Sequence, residues 1–189
     1  MFDLIAVIVI SILLSTFFSG MEMAFISANK LQIEIDKKKE GFIAKILTKL
    51  TNRSSKFITT MLVGNNIVLV IYSFYMGDFL AQFLSIQLFS DFAILLIKTV
   101  ISTFLILILS EFLPKIFFRI YADEALKIFA IPAYLCYVIF HYFSDFITAI
   151  SDFLLKLFLK SSHTEKPKEF SKIELGNFIT QQLEKAKDA

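Results

Sequence analysis

The residues able to do chemistry in this chain lie inside apolar runs, where a polar side chain has no bulk water to turn to. Between Leu4 and Phe25 the sequence LIAVIVISILLSTFFSGMEMAF carries Ser15, Ser19 and Glu22 at spacings i, i+4 and i+7, with Gly20 beside them. That spacing sets the side chains on one stripe of a helix. Gly64, Asn65 and Asn66 occupy the middle of FITTMLVGNNIVLVIYSFYMG, Phe57 to Gly77. Ser110 and Glu111 close the run Phe92–Leu113, just before Pro114. Together these clusters offer hydroxyl, amide and carboxylate oxygens, with no thiol and no imidazole. Such a donor set suits a hard cation, Mg²⁺, Ca²⁺ or Na⁺, rather than Zn²⁺ or copper.

The backbone adds to this. Proline has no N–H, so Pro114 is expected to free the carbonyl four residues back, that of Ser110, next to the Glu111 carboxylate. Gly20 and Gly64 allow either close helix approach or a local unwinding that frees further carbonyls. Each residue also has a plainer role when taken alone. A serine within a span usually bonds its own helix or a neighbour, and a lone asparagine makes an interhelical hydrogen bond. Glu22 could anchor a helix end, His141 fits an interfacial position, and Lys37–Lys39 fit a lipid-facing or solvated surface. Glu111 is hardest to dismiss, because an acid within an apolar span is by default a functional candidate.

The elements that must position these groups follow from composition. The 189 residues are 57% hydrophobic and 19% charged, with a mean hydropathy of +0.71, and the excess sits in long runs. About 20 apolar residues cross a bilayer core of about 30 Å. Leu4–Phe25, Phe57–Gly77 and Phe92–Leu113 are therefore read as three spans of an all-α membrane protein. No Lys or Arg precedes Lys30, so the first span lacks the basic flank of a cleaved signal peptide and is read as retained. A net charge of +2 gives no basic field suited to nucleic acid. The single cysteine, Cys136, excludes an internal disulfide and a cysteine metal cluster.

Ser27 to Lys56 carries Lys30, Lys37, Lys38, Lys39, Lys45, Lys49, Arg53 and Lys56, with apolar residues recurring at helical spacing and Gly41 as a break. A basic, amphipathic helical hairpin at the membrane surface fits. The connection Asp78–Asp91 has no Lys or Arg. By the positive-inside rule the hairpin is cytoplasmic and the N-terminus external. Lys115, Arg119 and Lys127, after the third span, agree. Ile128–Leu159 is long enough for a fourth span, but His141, Asp145, Asp152 and Lys156 interrupt it and a basic tail follows. With both flanks cytoplasmic, a kinked, belt-like helix along the inner face, or a re-entrant pair, fits better than a crossing. Thr164–Lys168 reads as a linker, and Ser171 with Glu174 as a capping box opening a short soluble helix.

In order and spacing, FFSGMEMAF at Phe17–Phe25, VGNN at Val63–Asn66 and SEFLPK at Ser110–Lys115 resemble the transmembrane domain of the CorC/CNNM magnesium transporter family, over about residues 1–160. The resemblance implies three spans per protomer, a juxtamembrane helical hairpin, a belt-like helix and a homodimer. It also implies a dehydrated Mg²⁺ held by Ser15 and Ser19 of the first span, Asn65 of the second and Glu111 of the third, with Asn66 less securely matched. Two departures stand out. Met21 occupies a position often small and polar in bacterial members, and Ser110 one where glycine is common. Members usually continue into cytoplasmic CBS domains that bind ATP. Residues 161–189 are then a linker and short helix leading toward such a region, and the chain reads as a piece of a longer protein.

On this reading the protein is a multi-pass protein of a bacterial inner membrane, C-terminus cytoplasmic. It would bind Mg²⁺ as its substrate ion and transport or export it, with Na⁺ as a candidate coupling ion. The alternative is a non-transporting scaffold or sensor that anchors a cytoplasmic nucleotide-binding region. An intramembrane enzyme is not expected: Cys136 and His141 are five residues apart, a poor helical match for a nucleophile and its base.

Overall fold

The computed structural model describes residues 2–83 and 91–159, and among these every regular element is helical. Helix α1 (Phe2–Ser27) leads into the short pair α2 (Lys30–Lys37) and α3 (Phe42–Asn52), and α4 (Ser54–Phe83) returns. Helix α5 (Asp91–Ile106) passes through a π-helical turn, Leu107–Phe112, into α6 (Leu113–Ile120). Three further helices follow: α7 (Ala122–Ile128), α8 (Ala130–Ile139) and α9 (His141–Leu159). Met1–Ile150 forms one compact unit and Ser151–Ala189 a second, and every contact of the candidate site lies in the first. The capping box and linker expected beyond residue 160 fall outside the described residues.

Three helices are long and apolar enough to cross a bilayer: Phe2–Ser27, Ser54–Gln82 and Asp91–Ile120. Each contains one of the spans read from the sequence, and the hairpin between the first two is present. Asn29 caps α2, its side-chain oxygen accepting from the N–H of Leu31 at 2.9 Å and of Gln32 at 3.4 Å. Gly41, at φ +157°, makes the break before α3. The last apolar stretch is not one straight rod, since α8 and α9 meet at 70°.

The third span runs further than expected. The sequence ended it at Leu113, before Pro114, yet the helix continues to Ile120. The π turn explains this. Leu113 N–H donates to the carbonyl of Ile108, five residues back, so the register has already shifted when the proline arrives. Pro114 then sits in the first turn of α6, where its missing N–H costs least.

Helix α1 is the axis of the molecule, packed against α4, the π turn, α6 and α7. Toward the hairpin end lies a large core that includes Phe18, Met21, Leu50, Phe57, Met61, Leu126 and Tyr137. Toward the other end a smaller one gathers Ile8, Tyr72 and Met76. Lipid tails are as apolar as these side chains, so close packing and interhelical hydrogen bonds hold the spans together. One such bond runs from the buried Tyr72 hydroxyl to the Ser102 carbonyl at 3.1 Å, tying α4 to α5.

Candidate functional site: a polar seam between three spans

A four-residue repeat turns one face of α1 toward the bundle. Ser15 and Ser19, both expected there, are fully buried, and so is Ser11, one turn earlier on the same stripe. The sequence reading passed over Ser11, although its spacing from Ser15 was the available signal. Ser15 Oγ donates to Asn65 Oδ1 of α4 at 2.6 Å. Two of the residues singled out in separate spans are thus joined directly. Asn65 is buried, while Asn66 is exposed and donates from its amide to its own helix at Leu62 O, 2.9 Å. One helix position decides which asparagine faces the bundle.

Ser19 differs from its neighbours. Its hydroxyl is buried and has no hydrogen-bond partner among the described residues. Hydroxyls in helices commonly fall back on the carbonyl four residues earlier, as those of Thr60, Ser73, Thr99 and Thr148 do. A buried hydroxyl with no partner forfeits roughly 1–3 kcal/mol of lost hydration. Ser19 therefore presents lone pairs and a proton to the interior beside the Ser15–Asn65 bond.

The glycines explain how helices come this close. A Cβ built on Gly64 would stand 2.5 Å from the Phe18 ring, and one on Gly20 would stand 2.6 Å from the Phe118 ring. Of the two roles open to these glycines, close approach is the one the helices use, because both lie within unbroken helix.

The third span reaches the seam through its π turn. Thr16 Oγ donates to the Leu109 carbonyl at 3.3 Å, and the buried Ser110 donates from Oγ to the Ile12 carbonyl at 3.4 Å. Leu109 is five residues before Pro114, so in the π register it is the carbonyl that Pro114 cannot serve. The sequence named Ser110 for that role from α-helical spacing; the register shift moves it by one residue. Glu111 is half-buried beside Ser110, with no ion pair among the described residues. No direct hydrogen bond joins it to Ser15, Ser19 or Asn65. Glu22 is half-buried as well. Among the described residues no group of three or more His, Cys, Asp or Glu side chains could hold a metal. A cation in this seam would therefore meet mostly neutral oxygens.

A second polar cluster, which the sequence reading did not assemble, lies at the hairpin end. The buried Lys56 at the start of α4 forms an ion pair with Asp145 of α9 and hydrogen-bonds to His141 Nδ1 at 2.7 Å. An ammonium only donates, so His141 Nδ1 accepts and its proton sits on Nε2, which lies 3.4 Å from Asp145 Oδ2. Lys56 also lies 5.6 Å from the centre of the Tyr137 ring. One turn on, the Thr60 and Ser144 hydroxyls meet at 2.7 Å. The signal was present: His141, Ser144, Asp145 and Thr148 form a polar stripe at helical spacing in an otherwise apolar stretch. Nearby, the buried Asp36 of α2 binds Lys39 at 2.6 Å, Lys127 of α7 at 2.8 Å and Gln32 at 3.3 Å. Burial alone would raise its pKa, but the hydrogen bonds from Lys127, Lys39 and Gln32 outweigh that and hold it at about 2.

Long apolar helices packed through glycines, with a polar seam between them, define a polytopic helical membrane protein. The chain belongs to the family described as the cyclin M (CNNM) transmembrane N-terminal domain, which it matches over residues 5–188. It is 29% identical over 183 residues to UPF0053 protein MG146 of Mycoplasma genitalium, covering 93% of this chain and 40% of that protein. It is 28% identical over 111 residues to UPF0053 inner membrane protein YfjD of Escherichia coli, covering 59% of this chain and 24% of that protein. A UPF0053 protein of Haemophilus influenzae is 26% identical over 121 residues, 64% of this chain and 27% of that protein. The chain thus spans less than half the length of these curated relatives.

Proposed function

We propose that the seam between α1, α4 and the π turn is a cation site, and that the protein moves Mg²⁺ across the membrane as its substrate. The observation that carries this is the Ser19 hydroxyl, fully buried and unpartnered next to Ser15 and Asn65. A buried hydroxyl oxygen that no protein group engages keeps its lone pairs available to an ion. Ser15, Ser19 and Asn65 supply neutral oxygens and Glu111 the one carboxylate. Mg²⁺ gives up its water reluctantly and demands near-octahedral oxygens at about 2.0–2.1 Å. Loading the site thus requires Ser15 to release Asn65 Oδ1 or to share it. Ion passage draws on the π turn and Pro114, where the register of the third span already departs from α-helical. Gly20 and Gly64, pressed against aromatic rings, serve as contact points rather than hinges. Na⁺, a hard cation of similar ligand preference, is the coupling ion we favour.

The hairpin faces the cytoplasm of a bacterial cell and the N-terminus lies outside, following the distribution of Lys and Arg. The protein acts as a homodimer: in the most apolar stretch of the third span only 6% of the residues are buried within one chain, against 39% and 44% in the other two. Where the chain continues, its C-terminal tail would lead on to cytoplasmic CBS domains, as the sequence resemblance implies.

The test is thermal unfolding of detergent-purified protein during MgCl₂ titration, with NaCl varied in a parallel series. Wild type gains several degrees with Mg²⁺, and Glu111→Gln and Asn65→Ala lose that gain. Retention of the full wild-type shift by both variants would overturn the site.

A further inference from the structure

The hairpin's cations fall into two sets. Lys37 pairs with Glu34, Lys39 and Lys127 share Asp36, and Lys56 pairs with Asp145. Lys30, Lys38, Lys45, Lys49 and Arg53 form no ion pair among the described residues, and the last three fall on a single helix face. Arg53 acts only at longer range on Asp145, which is already bound to Lys56.

These three stand four residues apart, on successive turns of α3 and its C-cap, and all are exposed. Helix α3, FIAKILTKLTN, contains no acid to offset them. Like charges at this spacing repel and destabilise the helix unless an anion comes between them. The row cannot disperse, because the opposite face of α3 is fixed: Ala44, Ile46, Leu47 and Leu50 are buried, and α3 packs on α8. Lys49 is held further by a neutral partner, with its Nζ 3.1 Å from the Tyr134 hydroxyl and 5.1 Å from the centre of that ring.

The row's location identifies the anion. Arg53 immediately precedes Ser54, the first residue of the second span, so the row begins where the chain enters the bilayer. Phe42, 67% exposed, lies on the same face of α3 ahead of Lys45. An apolar residue followed by a file of cations at the membrane boundary matches an acyl chain beneath an anionic headgroup. We propose that Lys45, Lys49 and Arg53 form a docking surface for an anionic phospholipid, its phosphate lying among the three cations. This surface is separate from the seam and independent of whether the seam carries an ion.

The experiment titrates the full chain, purified in a neutral detergent, with tail-labelled phosphatidylglycerol and, separately, phosphatidylcholine. Wild type should prefer phosphatidylglycerol by roughly a hundredfold, since each of the three cations contributes about a fivefold preference. Lys45→Gln with Lys49→Gln should bring the preference down to about the fivefold that Arg53 supplies alone. Lys37→Gln with Lys39→Gln removes the same charge from paired lysines and should leave most of it. Lys45→Gln alone, on an exposed residue with no ion pair among the described residues, should lower it about fivefold and covers the case of a misfolded double variant. No preference in wild type would overturn the surface, and so would equal losses in the two double variants. Displacement of the lipid by millimolar inorganic phosphate would reassign the row to soluble anions and overturn it as well.

Discussion

The two polar regions of this molecule are built from the same kinds of side chain and finished differently. At the hairpin end every buried charge has its partners: Lys56 has Asp145 and His141, and Asp36 has Lys39, Lys127 and Gln32. In the seam, Ser15 and Asn65 satisfy each other, while Ser19 one turn on has no hydrogen-bond partner among the described residues. A completed network fastens helices together, here α9 to α4 and α2 to α7. An incomplete one in the interior leaves capacity for something that is not protein. The comparison separates fastening from binding without any appeal to which residues are more polar.

The largest effect expected tests the fastening. Lys56 is buried, while Asp145 reaches solvent, with 46% of its side chain exposed. Asp145→Leu strands a buried ammonium with His141 alone and should cost about 3 kcal/mol, the low end for stripping a partner from a buried pair. Lys56→Met should cost about 1 kcal/mol, because the two groups it leaves behind can both reach water. Unfolding in detergent micelles reads both. Equal costs would mean that Lys56 is solvated in a way its burial denies, and the network would lose its standing as a clamp.

Acid should release the second fastening. The Asp36 pKa is lowered from 3.8 to about 2, so its stabilising contribution is complete above pH 4 and disappears as the pH falls through 2. The difference corresponds to about 2 kcal/mol. Wild type and Asp36→Asn should therefore differ by about that amount at pH 6 and converge near pH 2. A gap that is the same at both pH values would show that Asp36 contributes through shape rather than charge.

The sequence made some of this legible and hid the rest for identifiable reasons. The three spans followed from apolar run length, and the hairpin from basic residues at helical spacing broken by Gly41. Ser15 and Asn65 were legible because each stands at a deep, polar position in its own span, where few roles are open. Lys56, by contrast, looked like one more cation of a basic loop. Nothing local shows that it turns inward to meet residues 85 and 89 positions later. The end of the third span was misread because α-helical spacing was assumed through Leu107–Phe112, where the register is π. A proline rule applied in the wrong register points to the wrong carbonyl. Which glycine role applied was equally hidden, since Phe18 and Phe118 lie far from Gly64 and Gly20 in sequence.

The smallest effect is the most discriminating. Ser15→Ala deprives the buried Asn65 Oδ1 of its donor and should cost about 1–2 kcal/mol in the absence of divalent ions. Ser19→Ala removes a hydroxyl that bonds none of the described residues, so under the same conditions its stability should stay within about 0.5 kcal/mol of wild type or rise. Adding Mg²⁺ should then separate wild type from Ser19→Ala, because only wild type offers that oxygen to the ion. If Ser19→Ala instead loses as much stability as Ser15→Ala with no ion present, Ser19 is already satisfied within the fold. The seam would then be as complete as the hairpin end, with no capacity left over to bind a cation.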